Sequence, residues 1–312
     1  MPASLAPAAA RASTAATAPA TPTALLALLA LLAALPSAAV AHPLGDGAPR
    51  SIGLETLVAV LMIASVSGYA KGVASLWRRA GIGRGIRMRE ALAFAAGWSA
   101  LAVALYSPVD TLADRSFAVH MAQHELLMIV AAPLLAASRT YEAWSWALRR
   151  HGVRTLAAIA AGWRWLAAPT RAWWLHAAAL WLWHVPALFL AALGNESIHA
   201  LQHASFFVSA LLFWWAVFGS RRRRHQGTAL ALLVTTMLQM NALGLLLTFA
   251  PAPWYASDVP PPWGLTALED QQIGALVMWM FGGMVYAAAA LAVVLRWLTP
   301  SPDAAGRHRV LP

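Results

Sequence analysis

The sequence predicts an all-α fold, a polytopic membrane bundle of about seven transmembrane helices, and three observations predict it. The 312-residue chain is 60% hydrophobic and 11% charged, where soluble domains carry about 25% charged residues. Its apolar residues are gathered into long runs, and crossing the hydrocarbon core takes about 20 residues of helix. Irregular backbone cannot face lipid, so such runs read as helices. Third, the arginines stand in short clusters between the runs rather than along one polar face. The net charge of +10 is therefore a topology signal, and no nucleic-acid partner is expected. The 16 Trp suit the two interfacial belts. With no cysteine, disulfides, thiolate metal sites and a Cys nucleophile are excluded.

The elements follow in order. Residues 1–41 read as a cleavable signal peptide: Arg11 near the front, an apolar stretch from Ala24 to Leu35, then Ala39-Val40-Ala41 before His42. An uncleaved first span is the alternative. A seven-helix transmembrane domain covers 42–298, and a cytoplasmic tail covers 299–312. The spans run Ile52 to Trp77, Ala91 to Tyr106, Phe117 to Ala137, Ala172 to Ala192, Ile198 to Phe218, Thr228 to Ala250, and Gln272 to Leu295. The segment Thr140 to Arg171, with four Trp among arginines, reads either as a helix in the headgroup region or as a charged loop. Pro251 to Asp270, with Pro260-Pro261-Pro262, is too proline-rich to be regular and reads as a cap on the bundle.

Orientation follows from the basic residues, which cytoplasmic loops retain. Arg78, Arg79, Arg84, Arg87 and Arg89 share a side with Arg139 through Arg171, with Arg221 to Arg224, and with Arg296, Arg307 and Arg309. Only Arg50 and Arg115 fall opposite, while Lys71 lies in a span and Arg11 in the leader. The amino end is thus expected outside and the carboxyl end inside, in a multi-pass protein of a bacterial inner membrane. Asp46, Asp110, Asp114, Glu196, Asp258, Glu269 and Asp270 all fall on the outer side of this arrangement.

Ionisable groups inside membrane helices are costly and mark function. His120 and His124 lie four apart on the third span, and His199 and His203 repeat that spacing on the fifth. A spacing of four puts each pair on one helix face. His184 closes the set, late on the outward-running fourth span. All five fall in the outer half of the membrane. A lone membrane histidine commonly does no more than hydrogen bond across helices. Two matched pairs at one depth point instead to a metal site built inside a bundle. Imidazole suits copper, zinc and iron. Met121, and Met237 with Met240 on the sixth span, offer thioethers that favour Cu(I), although the latter two read first as packing. Asp270 is a candidate carboxylate ligand or a partner to one. Glu125, beside His124 but on another face, reads as a proton-handling group or as a partner for a neighbouring side chain. His176, near the inner end of its span, and His151, His225 and His308 are left out of the set.

At these residues the sequence resembles the CtaG-like membrane family of cytochrome c oxidase assembly factors. The matching stretches are Ser107-Pro108-Val109-Asp110, His120-Met121-Ala122-Gln123-His124 with Ala132-Pro133-Leu134-Leu135, Trp183-His184-Val185-Pro186, His199-Ala200-Leu201-Gln202-His203, and Asp270-Gln271-Gln272-Ile273-Gly274 leading to Met278-Trp279. They occur in order from the second to the seventh span. The resemblance implies a protein that supports maturation of a haem-copper oxidase by handling copper at the outer face, and the family's site residues carry over to His120, His124, His184, His199, His203 and Asp270. The chain departs from the family at Ala136-Ala137-Ser138-Arg139, where Gly and Pro are usual, and at Gln202, where Glu is frequent. The expected partners are the lipid bilayer, an oxidase subunit and a periplasmic copper chaperone, and no catalytic turnover is expected. A haem-binding electron-transfer protein and a copper transporter are the competing readings, the latter disfavoured because few ionisable groups besides Glu125 and Lys71 lie below the outer half.

Overall fold

The computed structural model describes residues 52–148, 153–219, 223–255 and 260–299, so the leader at 1–41 and the tail from 300 lie outside the described residues. Within them the chain is helical and carries no strand. Six helices are long and apolar enough to cross a membrane, and a bent pair supplies a seventh candidate span. The count of about seven and the all-α class both hold.

The first two spans are α1 (Ile52–Ala80) and α2 (Met88–Tyr106). The second begins three residues earlier than its apolar run because the Glu90 carboxylate accepts the Arg87 amide at 2.8 Å, satisfying an otherwise orphaned amino-terminal donor. Ser107 then caps the short α3 (Pro108–Ala113), its hydroxyl accepting from the Val109 amide.

The third span runs Phe117–Ala137 in three parts: α4 (Phe117–Glu125), a π-helical stretch (Leu126–Ala131) and α5 (Ala132–Ala137). Pro133 explains the widening. Its ring would strike the carbonyl four residues back, at Ile129, and it has no N–H to donate; π turns relieve that conflict and recur at functional sites. Trp214 supports the distorted stretch by donating its indole N–H to the Met128 carbonyl at 2.9 Å. The span ends at Arg139, which takes a left-handed φ of 56°, a place glycine fills without strain. Bonds from Arg139 to the Gly85 carbonyl (2.6 Å) and to Glu142 (2.9 Å) hold it there.

Within the ambiguous segment 140–171 the described residues form α6 (Thr140–Leu148) and α7 (Val153–Leu166). The predicted fourth span is broken. It consists of α8 (Pro169–Trp183) and α9 (Pro186–Gly194), bent by 78°. Pro186 disfavours helical geometry at Val185, which is extended (φ −68°, ψ 124°). The last spans are α10 (Glu196–Gly219), α11 (Arg223–Thr248) and α12 (Ala267–Leu298). The last is longer than its apolar run because Thr266 and Glu269 form a capping box.

Side chains separate into two cores. One joins Phe94, Trp98 and Tyr69 between α1, α2 and α6; the other joins residues of α4 and α8 to α12 around Phe206, Phe213, Trp214 and Tyr286. Between them lies a groove of about 1830 Å³ walled by α1 and α2 on one side and α10 on the other. Large apolar side chains such as Leu61, Trp174, Leu201, Leu238 and Met284 lie exposed on the outside of the helices, as lipid requires and water would not favour.

Candidate metal centre

Helix packing brings the two histidine pairs together. His120 and His124 lie one turn apart on α4 with ring centroids 4.4 Å apart, and His199 and His203 lie one turn apart on α10 at 4.2 Å. Across the helices, His120 stacks on His199 at 5.2 Å and His124 meets His203 edge-on at 5.2 Å. Nitrogens of His120, His124 and His203 all lie within 4.8 Å of one another, so small side-chain rotations would bring them to the roughly 2.0–2.1 Å bonds that imidazole makes to a metal. All three rings are buried.

Their hydrogen bonding separates a ligand set from a packing set. Histidines that merely tie helices together should bond to a neighbour. Both nitrogens of His124 and Nε2 of His203 are buried without a partner. His120 makes no hydrogen bond of normal geometry either, although the Ala113 carbonyl and the Gln202 amide lie within electrostatic reach. Each such group costs about 1–3 kcal/mol. A metal ion accepting these lone pairs would offset that cost, so the residues present fit one.

His184 sits at the break between α8 and α9 because Pro186 ends the helix there. Its Nδ1 lies 2.6 Å from the Leu180 carbonyl and must be the protonated nitrogen, which leaves Nε2 a buried lone pair with no partner. The ring contacts Phe206, which also packs on His124, so His184 stands beside the triad rather than inside it. Tyr255 holds the break by donating to the His184 carbonyl at 2.8 Å. Burial pushes its hydroxyl well above the ordinary phenol range, so it stays a donor.

Asp270 lies outside that triad. Its carboxylate accepts from the Ser116 hydroxyl (2.7 Å), the Phe117 amide (2.6 Å) and the Ala118 amide (3.3 Å). A carboxylate on three amino-terminal donors suits the positive end of α4 and fixes where His120 and His124 stand. Met121 is buried in the larger core. His199 lines the groove together with His203, so the centre is reachable sideways from the space between the two cores.

Several contributing residues carry no metal-binding signature. The spacing His-x-x-Gln-His occurs on both helices, and both glutamines are buried. Gln123 donates to the Ala104 carbonyl (2.7 Å) and to Asp110 (2.8 Å), tying α4 to α2 and α3. Gln271 clamps the opposite side, accepting from the Trp254 amide and donating to the Leu247 carbonyl. His176, left out by position, is fully buried; its ring nitrogens lie 3.2 Å from the Ser209 and Tyr286 hydroxyls. Of these, only the repeated glutamine spacing leaves a signal in the sequence.

Among curated proteins the chain is similar to uncharacterized proteins of Mycobacterium bovis and Mycobacterium tuberculosis, each 26% identical over 280 residues, covering 81% of this chain and 40% of the relative. The chain thus spans about two fifths of the length of those relatives. No solved structure matches it. Residues 67–299 match the family described as cytochrome c oxidase caa3 assembly factor, which takes in all five motifs and every histidine of the centre, and the chain belongs to that family.

Proposed function

We propose that this protein binds copper, as Cu(I), at His120, His124 and His203 and passes it to a haem-copper oxidase subunit during assembly. The observation that carries the reading is the convergence of three buried imidazoles, five of whose six nitrogens make no hydrogen bond of normal geometry. His199 and His184 are the ligands nearest to hand for capture or release. Met121 is a further soft donor, and Asp270 acts by positioning α4. In this reading the centre faces the periplasm of a bacterial inner membrane, where a soluble copper chaperone could load it, and the lateral groove lets a membrane-embedded recipient approach His199 and His203. Delivery needs no catalytic turnover.

Purified protein loaded under reducing conditions should hold copper that is lost when His120, His124, His199 and His203 are all replaced by Ala. Unchanged copper in that variant would overturn the proposal. A haem site is disfavoured by packing, because Phe189 and Phe206 lie 5.0 and 4.6 Å from His120 and His124, where a macrocycle would need room. Transport is a second reading with its own support, since the buried His176, Tyr286 and Ser209 continue polar groups beyond the centre. Copper uptake into vesicles carrying the protein would favour transport over delivery.

A further inference from the structure

The groove between the two cores has the dimensions of a helix. Along α10 its wall runs from Glu196 to Trp215, and that length of helix spans about 30 Å, the thickness of the hydrocarbon core. A slot so long passes both leaflets, whereas a lipid occupies one. Its volume of about 1830 Å³ exceeds the roughly 300–1,000 Å³ of ordinary ligand pockets. It approaches the about 2400 Å³ of a helix roughly 10 Å wide and 30 Å long, of which an open groove holds only a part.

The walls suit a helix in detail. Ala200 and Ala204 of α10 stand four apart in the lining, with Val208 continuing the row, and small residues at that spacing let helices approach closely in lipid. Across the groove Leu54, Val58, Leu61 and Ser65 of α1 recur at three and four, the spacing of one helix face. The two ends differ in charge. At the end nearer the histidines the lining includes Glu55, Asp110, Asp114 and Glu196 against Arg115, so whatever pairs these groups make among themselves, carboxylates outnumber cations there. The far end carries Arg164 of α7. An acidic rim repels anionic headgroups and attracts a basic side chain. His203, 8% exposed, lines the same wall about two turns from Glu196, and its Nε2 has no partner.

We propose that the groove receives one transmembrane helix of a second protein, with a Lys or Arg at the end that meets the acidic rim and a metal-accepting side chain about two turns in, level with His203. Only that last side chain rests on the copper reading; docking follows from shape and charge. The chain's own apolar stretch from Ala24 to Leu35 is too short to fill a slot that takes about 20 residues.

Photocross-linking of the metal-free full chain tests this. The chain has no cysteine, so a benzophenone maleimide can be placed on Val208→Cys in the groove wall or on Leu238→Cys, exposed on the outside of α11. Each labelled protein is reconstituted in phosphatidylcholine vesicles with a synthetic helix of about 20 Leu and Ala residues carrying two lysines at one end. Capture from Val208→Cys should exceed capture from Leu238→Cys by about tenfold. Glu55→Gln with Asp114→Asn should lower it about threefold and leave capture of a peptide with uncharged ends unchanged. If that double variant does not fold, about 0.5 M salt should lower capture of the lysine peptide in its place. Equal capture at the two positions overturns the proposal. So does capture at Val208→Cys of phospholipid alone, of a second copy of the chain, or of its own residues 24–35. Capture that neither the double variant nor salt lowers overturns the basic end assigned to the partner. The assay holds no metal, so its failure leaves the copper reading standing, and a histidine centre that binds no copper leaves the docking standing.

Discussion

At the scale of single residues, the histidine centre depends on groups outside the triad. Asp270 accepts three hydrogen bonds at the start of α4, and bonds to a charged group contribute about 1.5–3 kcal/mol each. Asp270→Asn keeps the shape but replaces acceptors with a donor that faces other donors. Thermal unfolding should move to lower temperature by the equivalent of about 2–4 kcal/mol, and copper affinity should fall although no ligand is removed. Tyr255→Phe is milder. It removes the donor to the His184 carbonyl and should cost about 1 kcal/mol in the same assay, with copper stoichiometry unchanged.

At the scale of elements, two prolines do the shaping. Pro186 breaks the fourth span so that His184 ends a helix instead of lying within one. Pro133 widens the third span into π turns below the histidines. Trp214 is the support that can be removed cleanly: Trp214→Phe leaves the Met128 carbonyl without its donor. The expected loss is about 1–3 kcal/mol, read as a lower melting temperature and faster amide exchange around residues 126–131.

At the scale of the whole molecule, the groove between the two cores connects the lipid to His199 and His203. Ala204 lies exposed in its wall one residue from His203. Ala204→Trp should fill the groove while sparing the ligands, so the purified variant should keep its copper yet fail to restore oxidase activity in cells lacking the wild-type protein. Restored activity would show that the recipient does not come this way. The absence of cysteine also permits a direct test of orientation. A single cysteine at Asn195 should react with an impermeant maleimide on intact spheroplasts, and one at Arg84 only after lysis.

The sequence by itself determined the all-α membrane class, the approximate span limits and the pairing of His120 with His124 and of His199 with His203. Those features are local: hydropathy over about 20 residues and the 3.6-residue helical period decide them without reference to any neighbour. Only the tertiary structure decided which helix faces which, and with it the rest. Asp270 became a cap on α4 because α12 begins against the start of α4. Glu125 came to face Gly282, 157 positions further along the chain. His176 joined Tyr286 and Ser209 from three different helices. Contacts between residues so far apart leave no mark in local pattern, since each helix alone satisfies its backbone in lipid, and side-chain packing between helices selects their partners.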